Sequence, residues 1–202
     1  MLHSQHVQKL VESGYKRYGA STFLTVRADM LFCLSTERAG RSVWYSIYPL
    51  AQPDIWVRSG WPSAAGSFPK AANGEETRIE CAPEDLAVEM FSVVEDCILP
   101  FFKRCASLDD LIDLHRQGGE SRARYPIAFA LLSMGRTEEG QWLLHELTED
   151  FDTDKRWDKA TRDHVWKYVR MQTAAELSCS LDSERSANLR KHGLVRLART
   201  KG

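Results

Sequence analysis

No stretch of this chain is long and apolar enough to cross a bilayer, which takes about 20 predominantly apolar residues. Its opening residues, MLHSQHVQKLVESG, lack the unbroken apolar core and small-residue cleavage site of a secretory signal. Leu2, Val7, Leu10 and Val11 recur instead at helical spacing and predict an amphipathic helix closed by Gly14. Charge of one sign is also missing. Lys and Arg total 27 against 28 Asp and Glu, for a net charge of -1. That balance argues against a protein built mainly to coat nucleic acid or an anionic membrane. Cysteine is sparse: Cys33, Cys81, Cys97, Cys105 and Cys179 are an odd number with no C-x-x-C among them. Cys33 sits in the apolar run Met30–Leu34, where a thiol acts as a small hydrophobe. The expected setting is reducing and cytoplasmic.

Catalytic signatures are scarce as well. There is no G-x-S-x-G nucleophile elbow, no G-x-x-x-x-G-K-[ST] phosphate loop and no G-x-G-x-x-G after a strand. His145-Glu146-Leu147-Thr148-Glu149 begins like the zinc-protease signature, but Glu149 stands where the second histidine belongs. His145 and Glu149 share a helix face and want a third ligand, which the sequence does not offer. Asp150, Asp152 and Asp154 resemble a calcium loop without its glycine and terminal glutamate. The expectation is therefore no catalytic residue, no metal and no cofactor.

What the chain does hold is an ordinary globular composition. Its 202 residues are 43% hydrophobic and 27% charged, and a chain of this size buries roughly two-thirds of its unfolded surface. Residues 15–82 are rich in aromatic and β-branched residues broken by Gly and Pro, the texture of strands and turns. Thr22–Val26 and Met30–Thr36 read as strands. Val43, Tyr45 and Ile47 alternate with Trp44, Ser46 and Tyr48, which predicts a strand with two different faces. Glu37–Arg41 has hairpin length. Ile55–Val57 and Glu76–Cys81 read as short further strands, Gly14–Gly19 as a helix-to-strand turn, and residues 61–74 as a long irregular loop.

Beyond Pro83 the pattern becomes helical. Leu86, Met90, Val93, Val94, Cys97 and Ile98 form a stripe that should end before Pro100. Ser107 and Asp110 predict a capped helix from Leu108 to Gln117. Tyr125–Met134 and Glu138–Thr148 predict an αα-hairpin, and a long helix should follow from Lys155 to Ser178. Residues 138–158 carry eight acidic against two basic side chains, and residues 184–202 six basic against one acidic. With no aromatic residues interleaved, the latter reads as a solvated basic tail rather than a nucleic-acid site. Segregated strands followed by helices define an α+β class. The layout is an α+β domain over 1–120 with four or five antiparallel strands, a helical extension over 121–183, and a tail over 184–202.

Two segments resemble the bacterial family catalogued as domain of unknown function 4304. Gly14-Tyr15-Lys16-Arg17-Tyr18-Gly19-Ala20-Ser21-Thr22-Phe23 is similar to that family's step from first helix to first strand. Ile98-Leu99-Pro100-Phe101-Phe102 followed by Ser107-Leu108 is similar to its helix end. The resemblance spans about residues 5–117, with one extra residue before Thr22-Phe23 and no glutamine near Ser35. It implies an architecture and no catalytic residue, because the family has no established activity. One further fragment, Gly135–Gly140, resembles the turn of tetratricopeptide-like helix pairs, and a single such pair does not make a solenoid.

The aromatic residues carry the functional expectation. Trp44, Tyr45, Tyr48, Trp56 and Trp61 fall within residues 44–61, beside Arg58. If Val43, Tyr45 and Ile47 face the helices, Trp44 and Tyr48 face away. Trp, Tyr and Arg dominate interface hot spots, so Trp44, Tyr48, Trp56, Arg58 and Trp61 are candidate contacts with a protein partner. The competing expectation is that these residues form a second core layer, packed by the 61–74 loop. The expected function is a non-enzymatic bacterial interaction protein that binds a protein partner through this aromatic sheet face or through the 61–74 loop, such as an immunity or defence-accessory protein. A small hydrolase or nucleotide-processing enzyme centred on His145 and Glu149 is the alternative.

Overall fold

The computed structural model describes residues 2–53, 55, 64–70, 74–118, 124–150 and 156–199. The α+β class is borne out. Helix α1 (Ser4–Glu12) leads into five antiparallel strands: β1 (Lys16–Tyr18), β2 (Thr22–Arg27), β3 (Met30–Glu37), β4 (Ser42–Pro49) and β5 (Ala64–Phe68). They pair in sequence order, with Phe23 opposite Leu34 and Leu34 opposite Tyr45. Side chains alternate across a strand, so that row is one stripe of one face. The β2–β3 connection is a two-residue turn, Ala28 and Asp29, both at positive φ.

Phe23, Met30, Phe32, Leu34, Val43, Tyr45 and Ile47 of the first face are buried against helices that follow the sheet. These are α2 (Leu86–Val93), a π-helical turn (Val94–Ile98), α3 (Leu99–Arg104) and α4 (Leu108–Gly118). Each large side chain so buried contributes about 1.5–3 kcal/mol before entropy is counted. The stripe from Leu86 does not stop before Pro100 as expected. Pro100 lacks an N–H, and the widened turn before it lets the helix run on with proline in its first turn. The predicted cap of α4 is present: Ser107 N–H donates to the Asp110 carboxylate at 2.8 Å, and Asp110 N–H donates to the Ser107 hydroxyl at 3.2 Å.

The αα-hairpin is also present, as α5 (Arg124–Ser133) and α6 (Thr137–Glu149). Gly140 is needed where they cross, since a Cβ there would stand 2.6 Å from Leu132 Cδ2. The single helix expected over 155–178 is two, α7 (Arg156–Val169) and α8 (Ala174–Lys191). Thr173 caps α8 by accepting from Glu176 N–H at 3.2 Å. Thr173-Ala174-Ala175-Glu176 is a capping box, so the break carries its own sequence signal. Tyr125, Phe129, Leu144, Leu147, Val165, Tyr168, Leu177 and Leu181 form the core of this helical layer.

Other expectations are revised by the structure or fall partly outside the described residues. Lys16–Tyr18 is a strand because its backbone pairs with β2, not because its side chains alternate in polarity. The supposed loop over 61–74 contains β5, whose pairing with β4 places Gly66 opposite Tyr45. Ile55 is buried outside any strand, and residues 56–57 lie outside the described residues. Glu76–Cys81 makes one bridge, Glu76 to Lys70. Arg41 holds the rest of that segment, donating from Nε to Ile79 O at 2.8 Å and from Nη2 to Cys81 O.

The largest correction concerns the basic tail. Among the described residues of 184–202, Glu184–Lys191 complete α8 and Val195–Arg199 form α9. Gly193, at φ 64°, ends α8 where a Cβ would lie 2.1 Å from Lys16 Nζ. Leu194 is fully buried, with Leu189 and Leu197 packed beside it. Basic residues on the outward side of α8 and α9 disguise an inward side that covers the sheet.

Candidate functional site

Trp44 and Tyr48 do share the second face of the sheet, opposite Val43, Tyr45 and Ile47, but only one of them meets solvent. Tyr48 is 1% exposed and sits among Leu24, Val26, Leu31, Cys33, Leu50, Ile55 and Leu194. Burial pushes its phenol up to about 12. It is core, so its expected role in partner contact is withdrawn.

The cover over Tyr48 is fastened by polar contacts aimed at backbone. Lys16 Nζ donates to the carbonyls of His192 (3.2 Å) and Gly193 (2.9 Å). Asn188, 2% exposed, donates to Leu50 O at 2.9 Å and Gln52 O at 2.8 Å. His192 Nε2 lies 3.2 Å from Ile55 O, and Arg185 pairs with Asp29 at 2.5 Å. Burial first, then the nearby Lys191 and Lys16 charges, pull the His192 imidazole below its usual range.

Trp44 remains 42% exposed at the uncovered end of the face. Its indole N–H donates to the Glu37 carboxylate at 2.7 Å, and its strand neighbours are Ser35 and Ser67. Trp56, Arg58 and Trp61 lie outside the described residues.

His145 and Glu149 stand on the outward side of α6, both exposed. His145 meets the Trp166 ring edge-on at 5.6 Å, and Arg170 lies over that ring at 5.2 Å. Among the described residues, no group of three His, Cys, Asp or Glu side chains is placed to hold a metal. The same outward row contains a residue that sequence reasoning passed over. Trp142, 62% exposed, is flanked at helical spacing by Glu138, His145 and Glu149. A helical wheel would have found it, because position 142 falls opposite Leu144 and Leu147.

The carboxylates around Trp142 divide into two sets. Glu139 is bound to Arg136, with Nε donating at 2.8 Å, and Asp150 to Arg124 at 3.2 Å. Glu138, Glu146 and Glu149 have no ion-pair partner among the described residues. On the opposite side of the αα-hairpin, a cleft of about 310 Å³ lies between its turn, α8 and the β2–β3 turn. The Arg185–Asp29 pair stands in its wall, with Leu132, Leu177 and Leu181 as apolar lining.

Comparison with family models, with curated proteins and with solved structures finds no match for this chain. The geometry of these surfaces therefore stands as its own guide to function.

Proposed function

We propose that this chain is a non-enzymatic interaction protein and that the outward face of α6 grips a protein partner bearing basic residues. The observation that carries this reading is Trp142, 62% exposed on α6. Tryptophan is the residue type most enriched in interface hot spots. Three carboxylates around it, unpaired among the described residues, favour a cationic partner segment, whose Lys or Arg side chains gain both ion pairing and a π face. Helices α5 and α7 pack behind α6 and hold this face in place before binding, which lowers the ordering cost of association. Immunity or accessory roles belong to the same class of function.

A second reading, contact through Trp44, is favoured by its 42% exposure and its fixing by Glu37. The enzymatic alternative at His145 and Glu149 has less support: the two groups share one open helix face, and the histidine ring is engaged by Trp166.

Photo-crosslinking separates these readings. A crosslinking residue at position 138 should yield a discrete adduct with a protein whose captured segment is basic. Trp142→Ala should weaken that interaction by at least about 2 kcal/mol, the hot-spot threshold, and added salt should weaken it further. Adducts unaffected by Trp142→Ala would overturn the reading. Discrete adducts formed only from position 35, beside Trp44, would replace it with the second.

A further inference from the structure

A separate cleft of about 200 Å³ opens on the first side of the sheet, where the α1–β1 turn, β2 and α3 meet. Its lining is chemically one-sided. Arg27 and Lys103 supply two cations, Ser13, Tyr15 and Thr25 supply hydroxyls, and Phe32, Leu99 and Phe102 supply apolar walls. Among the described residues, no acidic side chain lines it.

Several of these groups are already committed to the fold. Ser13 donates to Lys9 O at 2.8 Å and Thr25 to Gly14 O at 2.9 Å. Arg27 Nη2 donates to Phe102 O and to Cys105 O, closing the end of α3, while the guanidinium lies over the Phe32 ring at 4.9 Å. These contacts fix the guanidinium without using all of its donors. Nε is closed to solvent, so the nitrogen free to meet a ligand is Nη1, which makes no hydrogen bond among the described residues. The Lys103 ammonium, on an exposed side chain, and the Tyr15 hydroxyl, beside the Arg27 charge, make no hydrogen bond among the described residues. Burial pushes the Tyr15 phenol up to about 12, so at neutral pH it is a donor.

We propose that this cleft binds a compact organic carboxylate with an apolar body. The carboxylate sits among Arg27, Lys103 and the Tyr15 hydroxyl, and the body rests against Phe32, Leu99 and Phe102. Charge-assisted hydrogen bonds to a carboxylate are the strong kind, and the apolar walls exclude competing water. The cleft is smaller than the roughly 300–1,000 Å³ of drug-sized sites, which selects a ligand with one ring or a short chain. This site is distinct from the α6 face and does not depend on the reading given to that face.

The probes are benzoate and hexanoate, with benzamide and hexanamide as uncharged counterparts and inorganic phosphate as an anion without an apolar body. Binding is followed by ligand-observed NMR and calorimetry on the full chain. The acids should bind at least tenfold tighter than the amides and than phosphate. Lys103→Gln and Tyr15→Phe, which remove groups with no structural bond, should each weaken benzoate at least threefold without changing the melting temperature. Acids that bind no better than their amides would overturn the proposal. So would phosphate competing as well as benzoate, or both variants binding benzoate like the parent.

Discussion

The two faces of one sheet are closed by different physics. On the first face, Phe23, Phe32, Leu34 and Tyr45 meet α2, α3 and α4, whose apolar stripes follow the strands in the chain. On the second, Leu24, Leu31 and Tyr48 are covered by a charged segment more than a hundred residues away, through Leu189, Leu194 and Leu197. Its grip is completed by Lys16, Asn188 and His192 bonding to backbone carbonyls. A face closed by apolar bulk announces itself through periodicity. One closed by a few leucines and directed hydrogen bonds can be written in a sequence that reads as solvated.

Truncations on the two faces should cost similar amounts for different reasons. Phe32→Ala, which opens a cavity against Phe102, should lose about 3–5 kcal/mol in urea unfolding. Asn188→Ala removes less volume but strands two buried carbonyls, and should lose about 2–4 kcal/mol by the same measurement. If Asn188→Ala costs under about 0.5 kcal/mol, as for an ordinary surface change, the second face is not closed by its polar contacts.

Acid should loosen both faces, because each buries a histidine. His6 is stacked on Phe91 at 4.3 Å, and burial, then the neighbouring His3 and Lys9 charges, hold its pKa below the usual value. His192 is lowered likewise. A folded-state pKa below the unfolded one means this stability is complete above about pH 6.5 and is lost as pH falls through that value. Unfolding free energies measured between pH 7.5 and 5 should decline. His6→Phe and His192→Gln should each flatten part of that decline. An unchanged slope in His192→Gln would show that the second face does not sense pH.

The smallest effect belongs to the β2–β3 turn. Ala28 adopts φ 47°, a region costly for any residue with a Cβ. Ala28→Gly should raise stability by up to about 1 kcal/mol in thermal unfolding, and an unchanged or lower melting temperature would show that Ala28 carries no strain.

The contrast also explains what could be read from the residues alone. Strands β2, β3 and β4, the Glu37–Arg41 hairpin, the Ser107–Asp110 cap and the αα-hairpin all have local signals, and all are present. Strand β5 was hidden because Ala64-Ala65-Gly66-Ser67 has no β-branched residue and owes its conformation to β4. The α7–α8 break had a local signal in Thr173 and Glu176 that the apolar spacing masked. At the site, alternation along β4 correctly sends Trp44 and Tyr48 to the second face. Whether that face is open depends on Leu194 and Asn188, which no window around β4 contains. Trp142 was legible, but only from a helical wheel that separates outward from inward positions.

The central claim is that the C-terminal helices close the second face, so that Tyr48 is core. Hydrogen–deuterium exchange along β2–β4 tests it most directly, in the full chain and in a chain ended after Ser183. The account predicts slow exchange of β2–β4 amides in the full chain, and exchange faster by at least about tenfold in the shortened one, equivalent to about 1.4 kcal/mol of lost local protection. Identical exchange in the two chains would mean that residues 184–202 are a tail after all, and that the second face is free to meet a partner.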